Sequence, residues 1–470
     1  MLGHMGGGTA PLRGADAVVR FLDGPAGAYV HIPFCSWICP FCPYNKVRAR
    51  DDLAMRYVAS LQTEIDAVAA AHLRRFGSPF SSVYVGGGTP TLYPDALADV
   101  LVRTPTPGER AVEVLPNHAT PAGLDRLAAM GFTAVSIGAQ SFHDGVLRRL
   151  GRPHDAATAR SAVQAAVGRF ACVDVDLIVD VALEEPGSGS GVPPGAFLDD
   201  VAACFAAHVD QVSTYPLMRF GYTPFGRARH QRAREHAVLA DATRLADAMG
   251  YERRSVWTFN RRGSGAYTSI TRRRFLGMGA GATSVTGRDF LVNHFGIGTY
   301  TAAVEAGRLP LARWLHLGRW AGAAYEAFWQ AYSGRISPAT LAAAYGHDVG
   351  AVVRATLAPA RRASLLAGPD GDLRLTARGY DAYHDLERAV TYAFIEPLWA
   401  EMLREHVAEG ADVTPSCAPG PGPDTAGGGV TPGFWATPED ARRGVLWRAA
   451  RWALERRIPE ASLLGPARDG

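Results

Sequence analysis

Two hydrophobic rhythms alternate along the first half of the chain. Short, largely apolar runs bounded by glycine, proline or charge read as buried strands. They are AYVHIPF (28–34), SSVYVGG (81–87), AVEVLP (111–116), TAVSIGAQ (133–140), CVDVDLIVDVAL (172–183) and DQVSTYPL (210–217). Between them, apolar residues recur at helical spacing over 52–73, 91–101, 120–131, 154–168 and 197–208. The 120–131 segment carries its own punctuation: Thr120 as N-cap, Pro121 next, and Gly131 as stop. The 91–101 segment has an early proline, and His154 opens the helix that follows it.

Strand and helix alternate about six times, the order of a parallel α/β sheet, barrel-like or doubly wound. The breaker-rich EPGSGSGVPPG (185–195) reads as a surface insertion. After residue 220 the rhythm changes. Residues 224–250 read as mostly one long helix, followed by a Gly/aromatic segment, further helices over 299–357 and a short hairpin near LRLTARG (373–379). PSCAPGPGPDTAGGG (415–429) reads as a flexible excursion. The expected divisions are a lead-in over 1–24, a catalytic domain over 25–310 and a C-terminal substrate-pocket domain over 311–470 with the loop 415–429.

Composition narrows the class. The 470 residues are 47% hydrophobic and 20% charged, the balance of a globular chain. A net charge of +3 gives no basis for nucleic-acid binding, and basic runs such as Arg272–Arg274 read as solvated helix faces. No apolar run reaches the ~18–20 residues of a membrane span, and MLGHMGGGTA lacks the apolar core of a signal peptide. A cytoplasmic, reducing location is therefore expected. Of six cysteines, three fall within eight positions, while Cys172, Cys204 and Cys417 are scattered, which indicates a metal site plus background and no disulfide framework.

The three are Cys35, Cys39 and Cys42 in YVHIPFCSWICPFCPYNK (29–46), spaced C-x3-C-x2-C. Zinc would need a fourth ligand, for which His31 is a candidate by count. Three thiolates suit a cubane cluster with one iron left open to an outside ligand. Trp37, Phe41 and Tyr44 interleave with the cysteines as an apolar cover or as ordinary packing.

This stretch resembles the signature of the radical S-adenosylmethionine (SAM) superfamily. Its flanks look like the oxygen-independent coproporphyrinogen III oxidase-like branch, which includes heme-chaperone-like proteins, anaerobic heme-degrading methylases and class C radical methylases. The resemblance spans roughly residues 28–310. It implies a [4Fe-4S] cluster on Cys35, Cys39 and Cys42 and, by the pattern of the branch, two SAM molecules, one of them chelating the open iron. By the same resemblance GGGTPT (86–91) brings Gly86, Gly87, Gly88 and Thr89 to the methionine amino group, and Glu113 of E-x-x-P contacts a bound SAM. Ser136, Gln140 and Arg152 lie in SIGAQSFHDGVLRRLGRPH, and Asp176 aligns with a D-L-I-x-G-L-P segment from which this chain departs with VDVAL. Tyr29 matches a tyrosine near the second SAM and is the catalytic candidate; Ala280 lies in FLGMGAGATS, which resembles a nucleoside-pocket segment. Tyr215 and Tyr222 are candidates for the pocket wall.

The expected fold is α/β: a parallel (β/α)6-type partial TIM barrel with a smaller, mainly helical C-terminal domain. The expected activity is radical methylation of an sp2 carbon in an aromatic or heteroaromatic small molecule, with possible cyclopropane formation. Its alternatives are coproporphyrinogen oxidation or anaerobic heme degradation, and heme chaperoning. The expected partners are the small-molecule substrate, a low-potential donor such as flavodoxin or ferredoxin, and a downstream pathway enzyme.

Overall fold

The computed structural model describes residues 14–20, 22–179, 195–226, 232–264 and 274–416. Chain contacts divide it into two compact units, one of residues 1–316 with 394–425 and one of 317–393 with 426–470. The first unit thus takes in residues 311–316 and 394–416, which the sequence rhythm leaves with the C-terminal part.

The first unit opens with a short helix α1 (Asp16–Val19), strand β1 (Gly27–Ile32), and two short paired strands, β2 (Phe34–Cys35) and β3 (Val47–Arg48). The expected single strand 28–34 breaks at Pro33, which has no N–H to donate to a ladder. Helix α2 (Asp51–Phe76) follows, then β4 (Val83–Gly87), α3 (Pro94–Arg103), β5 (Arg110–Val114), α4 (Pro121–Met130) and β6 (Ala134–Gln140). Next come α5 (Asp144–Arg149), α6 (Ala156–Ala166), β7 (Cys172–Val179), α7 (Ala196–Ala206), β8 (Gln211–Pro216) and α8 (Arg232–Ala248).

Strands β1, β4, β5, β6, β7 and β8 lie side by side in chain order, each parallel to the next. This is the expected six-unit parallel barrel core. Helices cover one face of the sheet, so residues such as Val30, Val85, Val112, Val135 and Val175 are buried as fully as the inward ones. The strands alternate sides, which sends Tyr29, His31, Tyr84, Glu113, Ser136, Asp174 and Asp176 to the opposite, interior face.

The sheet continues beyond this core on both sides. Strands β9 (Tyr251–Arg253) and β10 (Thr258–Arg261) extend it antiparallel past β8. Strand β11 (Phe275–Met278) pairs parallel with β1, and β12 (Thr283–Val285), β13 (Asp289–Asn293) and β14 (Leu311–His316) follow antiparallel, giving twelve strands. Strand β14 corrects the helical reading of 299–357, since helix α9 spans only Ile297–Glu305. The expected helix 91–101 starts instead with a tight turn over Pro90–Leu92, because Pro94 can take the first position of a helix but not its interior. Thr120 caps α4, accepting from the Gly123 N–H, and Gly131 ends it with φ +98°. At α6 the cap is Asp155, one residue after His154.

The second unit holds α10 (Gly318–Tyr332), α11 (Pro338–Tyr345), α12 (His347–Arg362) and α13 (Ala377–Val390), with a small antiparallel sheet of Arg335–Ile336, Leu366–Ala367 and Leu373–Leu375. The hairpin near 373–379 is present, but from Ala377 the chain is helical. Residues 185–194 and 417–429 of the two low-complexity segments, and the VDVAL departure from Asp180 on, lie outside the described residues. Among the described residues no helix is long and apolar enough to cross a membrane.

Helix α2 clamps the β1–β11 seam from outside. Tyr57 donates to the His31 carbonyl at 2.6 Å and accepts from the Ala280 N–H at 3.0 Å. One turn pair further on, Glu64 accepts from the Gly279 N–H (2.7 Å), Asn293 Nδ2 (3.0 Å) and the Tyr300 hydroxyl (2.5 Å). Burial pushes the Glu64 carboxyl up to about 7 despite these donors. A raised value means that stability is fully present below the unfolded carboxyl range and lost as pH rises through about 7. Glu64→Gln should therefore gain stability relative to wild type between pH 5 and pH 8, by up to about 3 kcal/mol. Denaturant midpoints across that range check it; a constant difference between the two proteins would refute it.

Candidate active site

The cysteine loop, the glycine run and Gln140 lie at the C-terminal ends of the parallel strands, the end where barrel enzymes place their chemistry, while Tyr29, Ser136 and Asp176 lie within their strands. The cysteine loop leaves β1 there, and the pair β2–β3 closes its base through Phe34↔Val47 and Cys35↔Arg48. Cys35 and Cys39 are buried and Cys42 is partly so. Cys39 and Phe41 pack with Val146, Leu150, Ile178 and Leu217, with Trp37 and Tyr215 against them. Trp37 also donates to the Gly151 carbonyl at 2.7 Å, so this aromatic is anchored as well as packed. Tyr222 donates to the Pro43 carbonyl at 3.2 Å, on the outer side of the same loop.

Burial pushes the Cys35 thiol up to about 12 and raises Cys39 as well. Such thiols stay protonated until something positive replaces the proton, which suits ligands of a metal group. His31 does not complete a zinc set. Its Nε2 faces the Asn45 carbonyl at 3.0 Å and so carries the proton, while Nδ1 accepts from the Tyr29 hydroxyl at 2.7 Å. Burial lowers His31 to about 4, which keeps the ring neutral. Among the described residues no three His, Cys, Asp or Glu side chains are gathered closely enough to hold a single ion. The donor set is three soft thiols in an apolar wrap, which fits an iron–sulfur cluster.

The GGGT run is shaped by the protein's own packing. A Cβ at Gly86 would lie 2.6 Å from Glu113 Oε1, one at Gly87 2.8 Å from the His31 ring, and one at Gly88 2.6 Å from the Phe34 carbonyl oxygen. The N–H groups of Gly87, Gly88 and Thr89 go to Glu113 Oε2 (3.0 Å), the Ile32 carbonyl (2.8 Å) and the Phe34 carbonyl (2.8 Å). What this run has to offer a ligand is therefore acceptors, which suits an ammonium group.

Inside the barrel, the Tyr29 ring lies tilted against Tyr84, their centroids 5.6 Å apart, over a floor of Ala111, Ala134 and Cys172. Tyr84 donates to Glu113, whose carboxyl burial holds up to about 7. Ser136 donates to Asp176 at 2.8 Å. Asp174, two residues earlier on the same face of β7, accepts from Ser213 (2.7 Å) and from Gln211 Nε2 (3.1 Å). Burial raises both carboxyls, and the neighbouring Asp174 raises Asp176 further. Gln140 ends β6 with φ +68°, a left-handed conformation uncommon outside glycine. Arg152 reaches in from the loop after α5 and donates to Cys39 Sγ at 3.3 Å and the Gly138 carbonyl at 2.6 Å. His154 sits behind it, Nε2 to the Ala139 carbonyl at 3.0 Å.

Ala280 lies in the wall behind the cysteine loop, fully buried, with its N–H bound to Tyr57 and its carbonyl to Asn45. Asn45 itself is absent from the sequence-derived candidates. Its Nδ2 donates to the carbonyls of Ala280 (2.9 Å) and Phe295 (3.2 Å), and its Oδ1 accepts from His406 at 2.5 Å. It belongs to the CPYNK flank, but its partners are hundreds of residues away. Asp174 was also missed, although its i, i+2 relation to Asp176 on a strand is a readable signal.

Asn45→Ala should lower stability by about 2–4 kcal/mol, since it orphans several buried groups. It should also speed alkylation of the loop thiols in the metal-free protein. Iodoacetamide rates at fixed pH and a denaturant titration check this; unchanged thiol rates would refute the anchoring role.

Comparison with known proteins agrees with this geometry. Residues 29–180 match the family model of the Radical SAM superfamily. The oxygen-independent coproporphyrinogen III oxidase of Bradyrhizobium diazoefficiens is 28% identical over 339 residues, 65% of this chain and 73% of that protein. The heme chaperone HemW of Mycobacterium tuberculosis is 31% identical over 244 residues, 48% of this chain and 58% of its own. The structure of coproporphyrinogen III oxidase (HemN) from Escherichia coli aligns with a TM-score of 0.65 at 22% identity, covering 80% of this chain and 94% of that one, a likeness of fold. A Radical SAM domain implies a [4Fe-4S] cluster and SAM. Residues 29–180 thus match a Radical SAM domain, and the chain is similar in sequence to oxygen-independent coproporphyrinogen III oxidases and shares a fold with one of them.

Proposed function

We propose that this radical SAM enzyme is a C-methyltransferase that acts on an sp2 carbon of an aromatic or heteroaromatic small molecule and holds two SAM molecules. When bound, a reduced cluster and SAM supply a 5′-deoxyadenosyl radical. The chain's own residues position and shield. Cys35, Cys39 and Cys42 hold the cluster, Trp37, Phe41 and Leu217 keep water from it, and the acceptors of Gly86–Thr89 take an ammonium group.

The observation that supports this reading is the charge of the barrel interior. Glu113 on β5 and the Asp174/Asp176 pair on β7 face inward on strands separated by β6. Two acidic positions suit two sulfonium cofactors. A multiply anionic porphyrinogen would instead call for concentrated arginine and lysine at its own site. A low-potential donor such as flavodoxin or ferredoxin would supply the electron, in a reducing cytoplasm.

A second reading, coproporphyrinogen oxidation, is favoured by the 28% identical relative of that name, and heme chaperoning by the HemW relative. Anaerobic reconstitution of the full chain with iron and sulfide separates the three. About four irons and four sulfides per chain are expected. On reduction with SAM and a panel of heteroaromatic acids, 5′-deoxyadenosine and S-adenosylhomocysteine should form together with a methylated acid. Decarboxylation of coproporphyrinogen without S-adenosylhomocysteine selects the oxidase reading, and tight heme without SAM cleavage selects the chaperone reading. Cys39→Ala should abolish 5′-deoxyadenosine.

Glu113 offers a further check. Burial holds it up to about 7, and only the carboxylate attracts a sulfonium. SAM binding should therefore tighten as pH rises through about 7. Glu113→Gln should weaken it about tenfold and flatten that profile. Equilibrium dialysis measures both, and a pH-independent affinity in the wild type counts against the assignment.

A further inference from the structure

The thiols of the cysteine loop have separate polar neighbours. The Thr89 hydroxyl donates to Cys35 Sγ at 3.7 Å, and Arg152 Nη1 donates to Cys39 Sγ at 3.3 Å. Lys46 Nζ donates to the carbonyl of Cys42 at 2.5 Å. Two of these donors come from segments whose expected work is elsewhere. Thr89 ends the glycine run, and Arg152 is expected, by resemblance, among the residues that grip SAM.

The placement of Arg152 against the loop is built from both sides. Its neighbour Gly151 has φ +63°, and a Cβ there would lie 2.6 Å from the Pro40 ring, so only glycine lets the two loops approach this closely. The Gly151 carbonyl takes the Trp37 indole N–H. Arg152 Nη2 is fixed on the Gly138 carbonyl, and the guanidinium lies 5.9 Å from the Phe41 ring centroid. Its Nε is buried without a hydrogen-bond partner among the described residues. The guanidinium is thus committed to the cysteine loop before any ligand arrives.

We propose that Arg152, acting through Cys39, and Thr89, acting through Cys35, raise the reduction potential of the iron–sulfur cluster that these thiols hold. This rests on the cluster reading above. One-electron reduction adds a negative charge to a group whose ligands are already thiolates. A fixed cation and hydrogen-bond donors at the ligand sulfurs stabilise the reduced form more than the oxidised one. The charged donor at 3.3 Å should count for more than the hydroxyl at 3.7 Å. The effect is independent of SAM, which separates it from a cofactor-gripping role.

The test is an anaerobic redox titration of the reconstituted full chain with dithionite and mediators, without SAM, followed by the electron paramagnetic resonance signal of the reduced cluster. Arg152→Gln should move the midpoint to a more negative value, Thr89→Val should move it the same way by less, and Arg152→Lys, which keeps the charge, should restore most of the Arg152→Gln shift. SAM affinity of the oxidised proteins is measured in parallel by dialysis. If the SAM-free midpoint is unchanged in Arg152→Gln and Thr89→Val while SAM affinity falls, these residues serve the cofactor alone and the proposal is overturned. Should Arg152→Gln not retain its cluster, Thr89→Val and Arg152→Lys decide by the same signs. A wild-type chain that holds no cluster at all would instead remove the functional reading on which this one stands.

Discussion

At Asn45 three parts of the chain that are distant in sequence meet on one amide. The side chain gives its two N–H bonds to carbonyls in the β11–β12 turn and at the start of α9, and its oxygen takes the N–H of His406. Its backbone carbonyl takes the proton of His31. The cysteine loop has almost no regular secondary structure between Cys35 and Val47, so its polar groups need partners from elsewhere if the loop is to be buried. Asn45 supplies them at the end next to Cys42, and Ser416 supplies them at Ile38, accepting from its N–H and donating to its carbonyl. Without such anchors the thiols would lie on a floppy surface excursion. With them, the thiols lie in an apolar pocket where a metal group can be held and water kept away.

The barrel interior shows the complementary side of the same economy. Four inward or seam-facing carboxyls, Glu64, Glu113, Asp174 and Asp176, are all raised by burial. They differ in what surrounds them. Glu64 has three donors from backbone, amide and phenol, which makes it a structural clamp between α2 and the strands beside β1. Glu113, held by the Tyr84 hydroxyl and the Gly87 N–H, and Asp176, held by Ser136, remain partly accessible on the interior face. Carboxyls held in that state take a cationic ligand at lower cost than an anionic one, because the ligand replaces a proton.

Elements with strong local signals were legible. Thr120, Pro121 and Gly131 bound their helix as the chemistry of caps requires, and the six parallel strands stand where apolar runs alternate with helical spacing. Reading failed where a feature depends on sequence-distant pairing. Strand β14 has a helix-compatible composition and becomes a strand because β13 offers an open edge to it. The glycines of GGGT carry a resemblance to a cofactor motif, and the structure adds a packing requirement at each, by contact with Glu113, His31 or Phe34. Ala280, which resemblance places in a nucleoside-pocket segment, has its backbone bound to Tyr57 and Asn45, partners that no local signal announces.

The sequence by itself determined the chemistry available: three soft donors at C-x3-C-x2-C spacing, a glycine turn after a strand, and acids on strands of a parallel α/β core. These are local facts of residue type and periodicity, and local physics suffices to read them. Only the tertiary structure decided which side chain acts on which. Arg152 meets Cys39 across 113 positions, His406 meets Asn45 across 361, and His31 is withdrawn from metal binding by Tyr29 and the Asn45 carbonyl. Hydrogen bonds and fixed charges act over a few ångströms. Their pairings therefore exist only once the sheet has brought its strand ends together.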